Sequence, residues 1–409
     1  MYSDREVLYF LQTVGGIGNR SIRHLFSCFR CGMDLFTADE ELLGQFLMPA
    51  QRNAFLRERE KKNPKERMEE LRKKGISYYS IFDWQYPLRL RMIADAPLAL
   101  FVRGSLPPEE KMTASVIGAR YHSFYGNKSA REYAALLAGQ GVGLVSGMAK
   151  GIDSIAQMAA LENGGTSYAV LGCGVDICYP LESRQLYDRL PGQGGIISEY
   201  IPGTKPKAGL FPQRNRIISA LGDILLVMEA KQKSGTLITV DMALEQGKEI
   251  WALPGRTDDA LSYGCNRLIA QGAGILTGTE EFAKELELMK NKYERRGESM
   301  LEQRKKASQK SGEQRVVSSP GANAGRVDTM KTADTVKTPD TVKTPDAKQQ
   351  IIQILSYQPL SVDEIYKKMG ESGERSLTLL GLNELLVDLC VEQKICRTGS
   401  GHYVQKQMG

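Results

Sequence analysis

The middle of the chain alternates short apolar runs with amphipathic stretches. Ser115–Gly118, Gly143–Ser146, Tyr168–Leu171, Gly194–Glu199, Ile224–Met228, Glu249–Leu253 and Gly274–Leu276 carry too few residues for helices and read as strands. Between most of them, 126–138, 152–162, 213–221 and 237–246 repeat apolar residues at helical spacing. Strands that are apolar on both faces, separated by helices, predict a parallel sheet covered on both sides. The expected fold class is therefore α/β, a Rossmann-like doubly wound, mostly parallel sheet. Two further strand-like runs, Ser77–Phe82 and Leu98–Val102, precede it around Tyr86-Pro87.

The flanks read differently. Over residues 1–70, Val7, Leu8, Phe10, Leu11 and Val14 recur at helical spacing, Gly15-Gly16-Ile17-Gly18 breaks the run, and Ile22, Leu25, Phe26 and Phe29 begin another. A small helical N-terminal domain is predicted. Its glycine hairpin reads either as a plain helix–helix turn or as a helix-hairpin-helix element presenting amides to a phosphate. The α/β domain then occupies 75–285. From 286 to 347 the pattern dissolves into polar residues, with three six-residue repeats of the Asp-Thr-Val-Lys-Thr-Pro type between Asp328 and Pro345. Such a composition buries too little apolar surface to fold alone and reads as a disordered tether. Periodicity returns over 348–409. Three helical patterns, the third at Ser376–Cys390, and a hairpin around Gly399 and Gly401 predict a winged helix. That third helix carries Glu384 and Asp388, which favours a protein-contacting or silent module over a DNA reader.

Charge adds a restriction. The net charge is +6, yet between Lys290 and Ala347 there are 13 Lys or Arg against 8 Asp or Glu, so most of the excess sits in the tether. A nucleic-acid site on the globular part must be a local patch. The longest apolar stretches are far too short to span a bilayer, and the N-terminus lacks the apolar core of a signal peptide. Seven cysteines and three scattered histidines (His24, His122, His402) suggest neither a disulfide framework nor a metal site, and Cys28-x-x-Cys31 has no second pair. A cytoplasmic protein with no metal and no cofactor is expected.

Ligands of open parallel sheets bind beyond the strands' carboxyl ends, and the glycine motifs fall there. Gly118-Ala119-Arg120, Ser146-Gly147 and Gly172-Cys173-Gly174 follow the first three central strands, and Ser234-Gly235-Thr236 precedes a helix. Glycines let a phosphate approach the backbone, while Arg120 and Lys150 add charge. Phe211-Pro212-Gln213-Arg214-Asn215-Arg216 places a ring and two guanidinium forks just before an apolar helix pattern. A fork suits phosphate and a ring suits a base. Neither the P-loop nor the Gly-x-Gly-x-x-Gly dinucleotide fingerprint is present. Asp153 and Asp176 read best as caps or turn formers.

Read together with Ser146–Asp153, Leu171–Asp176, Ile197–Tyr200, Glu229-Ala230, Ser234–Thr239 and Ala252–Gly255, these motifs resemble the DNA-processing protein A family (DprA, also called Smf) over roughly residues 75–280. The resemblance implies a homodimeric single-stranded DNA-binding protein that loads the RecA recombinase during natural transformation, with no catalysis. The implied DNA-contacting set is Gly118, Arg120, Ser146, Gly147, Lys150, Gly172, Gly174, Lys207, Phe211, Arg214, Asn215, Arg216, Ser234 and Gly235. Ala119 stands where that family often has Ser, and Gln157 where it often has His. Ser234-Gly235-Thr236 with Glu245 also resembles the phosphoribohydrolases called lysine-decarboxylase-like, which would make the chain a nucleotide-cleaving hydrolase. Lys233-Ser234 replaces their glycine pair, and their second arginine motif is not evident.

Overall fold

The computed structural model describes residues 1–61, 63–294, 344–355, 360, 362–371, 382, 385–386, 389, 394–397 and 403–405. The chain divides into two compact units, Met1–Val316 and Val317–Gly409.

The first unit opens with six helices: α1 (Asp4–Thr13), α2 (Asn19–Cys28), α3 (Gly32–Thr37), α4 (Glu40–Gly44), α5 (Pro49–Lys61) and α6 (Pro64–Lys73). Ser3 and Glu6 close a capping box at the start of α1. Helical spacing then buries Val7, Leu8, Phe10 and Leu11 completely. These helices share one apolar core with the sheet. Tyr9 packs on Tyr78 and Phe101, and the Arg5 and Arg23 guanidinium groups donate to the carbonyls of Tyr78 and Ala96.

The sheet holds nine strands: β1 (Ser77–Ser80), β2 (Ala99–Gly104), β3 (Thr113–Ile117), β4 (Gly143–Ser146), β5 (Ser167–Val170), β6 (Gly194–Ser198), β7 (Ile224–Val227), β8 (Glu249–Ala252) and β9 (Gly274–Ile275). Their order is β1-β2-β6-β5-β4-β3-β7-β8-β9. From β6 to β9 every pairing is parallel, while β1 and β2 add antiparallel strands to the β6 edge. The remaining helices of this unit are α7 (Leu88–Arg91), α8 (Phe124–Gly139), α9 (Ile152–Glu162), α10 (Arg184–Arg189), α11 (Leu210–Leu221), α12 (Gly235–Glu245), α13 (Tyr263–Ala270) and α14 (279–294).

Strand periodicity sorts side chains onto two faces. Ile224, Leu226 and Met228 join one apolar cluster with α8, α9 and α14, whereas Leu225 and Val227 join the other with α11, α12 and the N-terminal helices. The expected doubly wound sheet is present, and the chain reverses its direction of winding between β3 and β7. That switch point opens a crevice at the carboxyl ends.

In the second unit, helices α15 (Thr344–Leu355) and α16 (Val362–Glu371) and an antiparallel ribbon, Ile395–Arg397 with Tyr403–Gln405, surround a small core of Ile351, Leu355, Ile365 and Leu386. The repeats before residue 344 and most of the expected third helix lie outside the described residues.

Candidate nucleic-acid interface

Backbone geometry fixes the floor of the crevice. Gly118 ends β3 against Ile152, where a side chain would approach to within 2.8 Å. Gly151, at φ +90°, folds the β4–α9 loop over the carbonyls of Ala119 and Arg120, a conformation that favours glycine. The Ile152 amide donates to the Ala119 carbonyl at 3.2 Å. This turn sets Arg120 and Lys150 side by side. Both are exposed. Among the described residues Arg120 makes no hydrogen bond or ion pair. Lys150 rests its ammonium over the Tyr121 ring at 4.9 Å.

The start of α12 joins them, because the Thr236 hydroxyl donates to the Gly118 carbonyl at 3.2 Å. Ser234 is the N-cap, but its hydroxyl oxygen, covered from water, has no partner among the described residues. Gly235 is exposed, with open space where its side chain would be among the described residues. The structure thus brings Arg120, Lys150, Ser234 and Gly235 together at the switch point.

The Phe211–Arg216 segment is arranged differently from the sequence-based expectation. It lies inside α11, which begins at Leu210, with Pro212 in the first turn, where a missing N–H costs nothing. Helical geometry then separates the two arginines, since residues two apart point to opposite sides. Arg214 is buried, and its Nη1 donates to the carbonyls of Gly147 (2.7 Å) and Val170. Burial lowers its pKa to about 10, opposed by the nearby Asp153 carboxylate. Gly147 is required here because a Cβ would overlap the guanidinium. Arg216 forms a two-pronged pair with Glu199, both bonds at 2.7 Å, and a third contact with Asp95 at 2.7 Å. Neither guanidinium is presented to a phosphate in this arrangement.

Three other expected contacts also turn inward. The Ser146 hydroxyl donates to Val116 O at 2.6 Å, and the Gly147 amide donates to Asp153 at 3.2 Å. Burial raises the Asp153 carboxyl pKa, with Arg214 opposing. Gly174 packs against Asp176 and the Gly203 amide, which bond to each other at 2.8 Å, so it closes a loop rather than opening a cradle. Gly172 has a clearer role. It seats the Phe211 ring, which would lie 2.9 Å from a Cβ there. Phe211 is half-buried, tilted against Tyr179 at 5.5 Å, with Arg214 5.9 Å from its centroid. Lys207, just before α11, is exposed, and Asn215 is half-buried.

Sequence reasoning named Glu199 and Glu229 only within motifs, without giving them a role, and passed over the counter-charge Asp95. Glu229 is buried at the end of β7 and accepts from the amide and hydroxyl of Ser123, the N-cap of α8. A lone acidic residue directly after an apolar strand was the available signal. Glu245 is exposed at the far end of α12, nine residues from Thr236 and about 14 Å away along the helix axis. The two cannot act on one substrate atom, which removes the geometric basis of the hydrolase reading. Among the described residues no three His, Cys, Asp or Glu side chains cluster as a metal site. No helix of these residues is long and apolar enough to cross a membrane.

The family model described as DNA recombination-mediator protein A matches residues 77–287, more than half of the chain. The chain belongs to this family. Its match to the DNA processing protein DprA of Streptococcus pneumoniae is 43% identical over 209 residues, 51% of this chain and 74% of that one. The match to the Smf protein of Escherichia coli is also 43% identical, over 203 residues, 49% of this chain and 54% of that one. The X-ray structure of the Streptococcus pneumoniae DNA processing protein A superposes with a TM-score of 0.60 at 33% identity, covering 69% of this chain and 99% of that one. The family's match ends near residue 287, in α14, so the second unit lies outside it.

Proposed function

We propose that this protein binds single-stranded DNA along the carboxyl edge of its sheet and delivers it to the RecA recombinase, without catalysing a reaction on it. The observation that carries this reading is Arg120, a guanidinium at the switch point that is exposed and makes no bond with the described residues. Beside it stand Lys150 and the open start of α12, where a helix N-terminus favours an anion. Across the sheet, Phe211 is held with part of its ring exposed, suited to stacking on a base. In this reading Arg120, Lys150, Lys207, Ser234 and Gly235 hold the backbone. Arg214, Arg216, Ser146 and the glycines at 147, 172 and 174 position the site from below.

A homodimer through the central domain, in the cytoplasm, completes the reading. The open β9 edge, with Ile275 and Leu244 exposed beside a 330 Å³ cavity lined by Ile250, Trp251 and Leu268, supports it. Binding of single- and double-stranded oligonucleotides across a salt series tests the DNA assignment. Preference for the single strand, little dependence on sequence and a steep fall with salt are expected. Release of free base from nucleoside monophosphates would instead establish an enzyme.

A further inference from the structure

Residues 118–123 link β3 to α8, whose first residues are Phe124 and Tyr125, and this stretch is tightly held. The Ser123 amide donates to Glu229 at 3.1 Å, and its hydroxyl bonds the same carboxylate while accepting from the Gly126 amide at 3.0 Å. A Cβ at Gly126 would overlap that carboxylate, so the first turn of α8 closes directly onto it. The Tyr125 hydroxyl donates to the Pro254 carbonyl at 3.0 Å. On this fixed frame two large rings face water. Tyr121 is 75% exposed and Phe124 is 86% exposed. Apolar ring faces in water are unfavourable in proportion to their area.

From this we infer that Tyr121 and Phe124 form a second base-stacking platform for the same DNA strand, an inference that rests on the single-stranded DNA reading above. Charge selects the part of the nucleotide that fits. Glu229 already neutralises the N-terminus of α8, so a phosphate is repelled there while a neutral base face is not. The phosphates adjoining those bases would meet Arg120, which precedes Tyr121, and Lys150, which covers one face of it. Position completes the case. Phe211 and Tyr179 stand over the end of β5, Arg120 and Tyr121 over β3, and Tyr125 is tied to the exit of β8. With the order β5-β4-β3 and about 4.8 Å between strands, Phe211 and Tyr121 stand about 10 Å apart across the sheet, with Arg120 beside Tyr121. At a stacked rise of about 3.4 Å that is room for about three nucleotides, fewer if the strand is extended.

The test compares the full chain with Tyr121→Ala/Phe124→Ala and with Tyr121→Trp/Phe124→Trp. Fluorescence anisotropy reads a long oligothymidylate and the same oligonucleotide carrying abasic sites, and thermal melting runs alongside. Alanine at both positions is expected to weaken binding by about five- to 150-fold for each base that loses its platform, with the salt slope and melting temperature unchanged. Tryptophan is expected to restore binding. The abasic strand is expected to bind the unsubstituted protein more weakly and to shrink the difference between it and the alanine variant. Equal affinity of unsubstituted and alanine proteins on both strands overturns the platform and leaves the DNA reading intact. Intact DNA binding by the alanine variant, with loss of stimulated RecA filament assembly, overturns it in favour of a protein-docking face. Failure of the unsubstituted protein to bind any single strand overturns both.

Discussion

Replacing Arg216 with Ala is expected to cost stability rather than DNA contacts. Its side chain is 12% exposed and that of Glu199 5% exposed, so the pair is largely out of water. Burial alone would lower the Arg216 pKa, and Glu199 more than offsets this and holds it above the usual value. Removing the arginine leaves the Glu199 carboxylate buried without its fork, a loss of about 3–5 kcal/mol for pairs of this kind. At about 2–4 °C per kcal/mol for a domain of a few hundred residues, the melting temperature should fall by about 6–20 °C. The double substitution Arg216→Met/Glu199→Leu should recover most of that loss, because a buried pair replaced by apolar groups of similar volume is close to neutral. The assay is thermal melting of all three proteins, followed by DNA titration across salt at a temperature where each is folded. A normal melt for Arg216→Ala, with a salt slope reduced by about 0.7, would refute the reasoning and place Arg216 on a phosphate.

Phe211→Ala should weaken single-stranded DNA binding by about 1–3 kcal/mol per stacked base and leave the salt slope intact. Because the ring is only half-buried, its stability cost should fall short of the ~3–5 kcal/mol of a core phenylalanine, and a larger loss in denaturant titration would make it a core residue. Gly147→Ala should push the Arg214 guanidinium off its carbonyls and lower the denaturation midpoint, with about 1–3 kcal/mol lost to overpacking. An unchanged midpoint would show that the Arg214 seat is not tight. Deleting residues 295–409 should leave a soluble protein that still binds single-stranded DNA, and loss of binding by the folded remainder would move the site to the removed segment.

The sheet was legible because its strands are short apolar runs and its helices are amphipathic, so Ile224–Met228 or Gly143–Ser146 needed no tertiary information. The glycine turns were legible for the same local reason, and so was Arg120 at the end of β3. What stayed hidden depends on distant partners. The pairing of Arg216 with Glu199 and Asp95 joins positions 17 and 121 residues away, and the seat of Arg214 is made of main-chain carbonyls just past β4 and at the end of β5. The earlier start of α11 at Leu210 brings Phe211 and Pro212 into the helix, while Arg214 and Arg216, two apart within the expected helix, point to opposite sides. The union of the N-terminal helices with β1 and β2 through Tyr9, Tyr78 and Phe101 likewise rests on contacts that no local pattern announces.

Arg120→Ala, compared with the unsubstituted protein in a single-stranded DNA titration across salt, tests the central claim most directly. The side chain is exposed and bonds to nothing described, so melting should not change. Affinity should drop at low salt, and the slope of log affinity against log salt should become shallower by about 0.7, the value for one phosphate contact on a single strand. An unchanged affinity and slope in a normally folded variant would contradict the assignment of DNA to the carboxyl edge of this sheet.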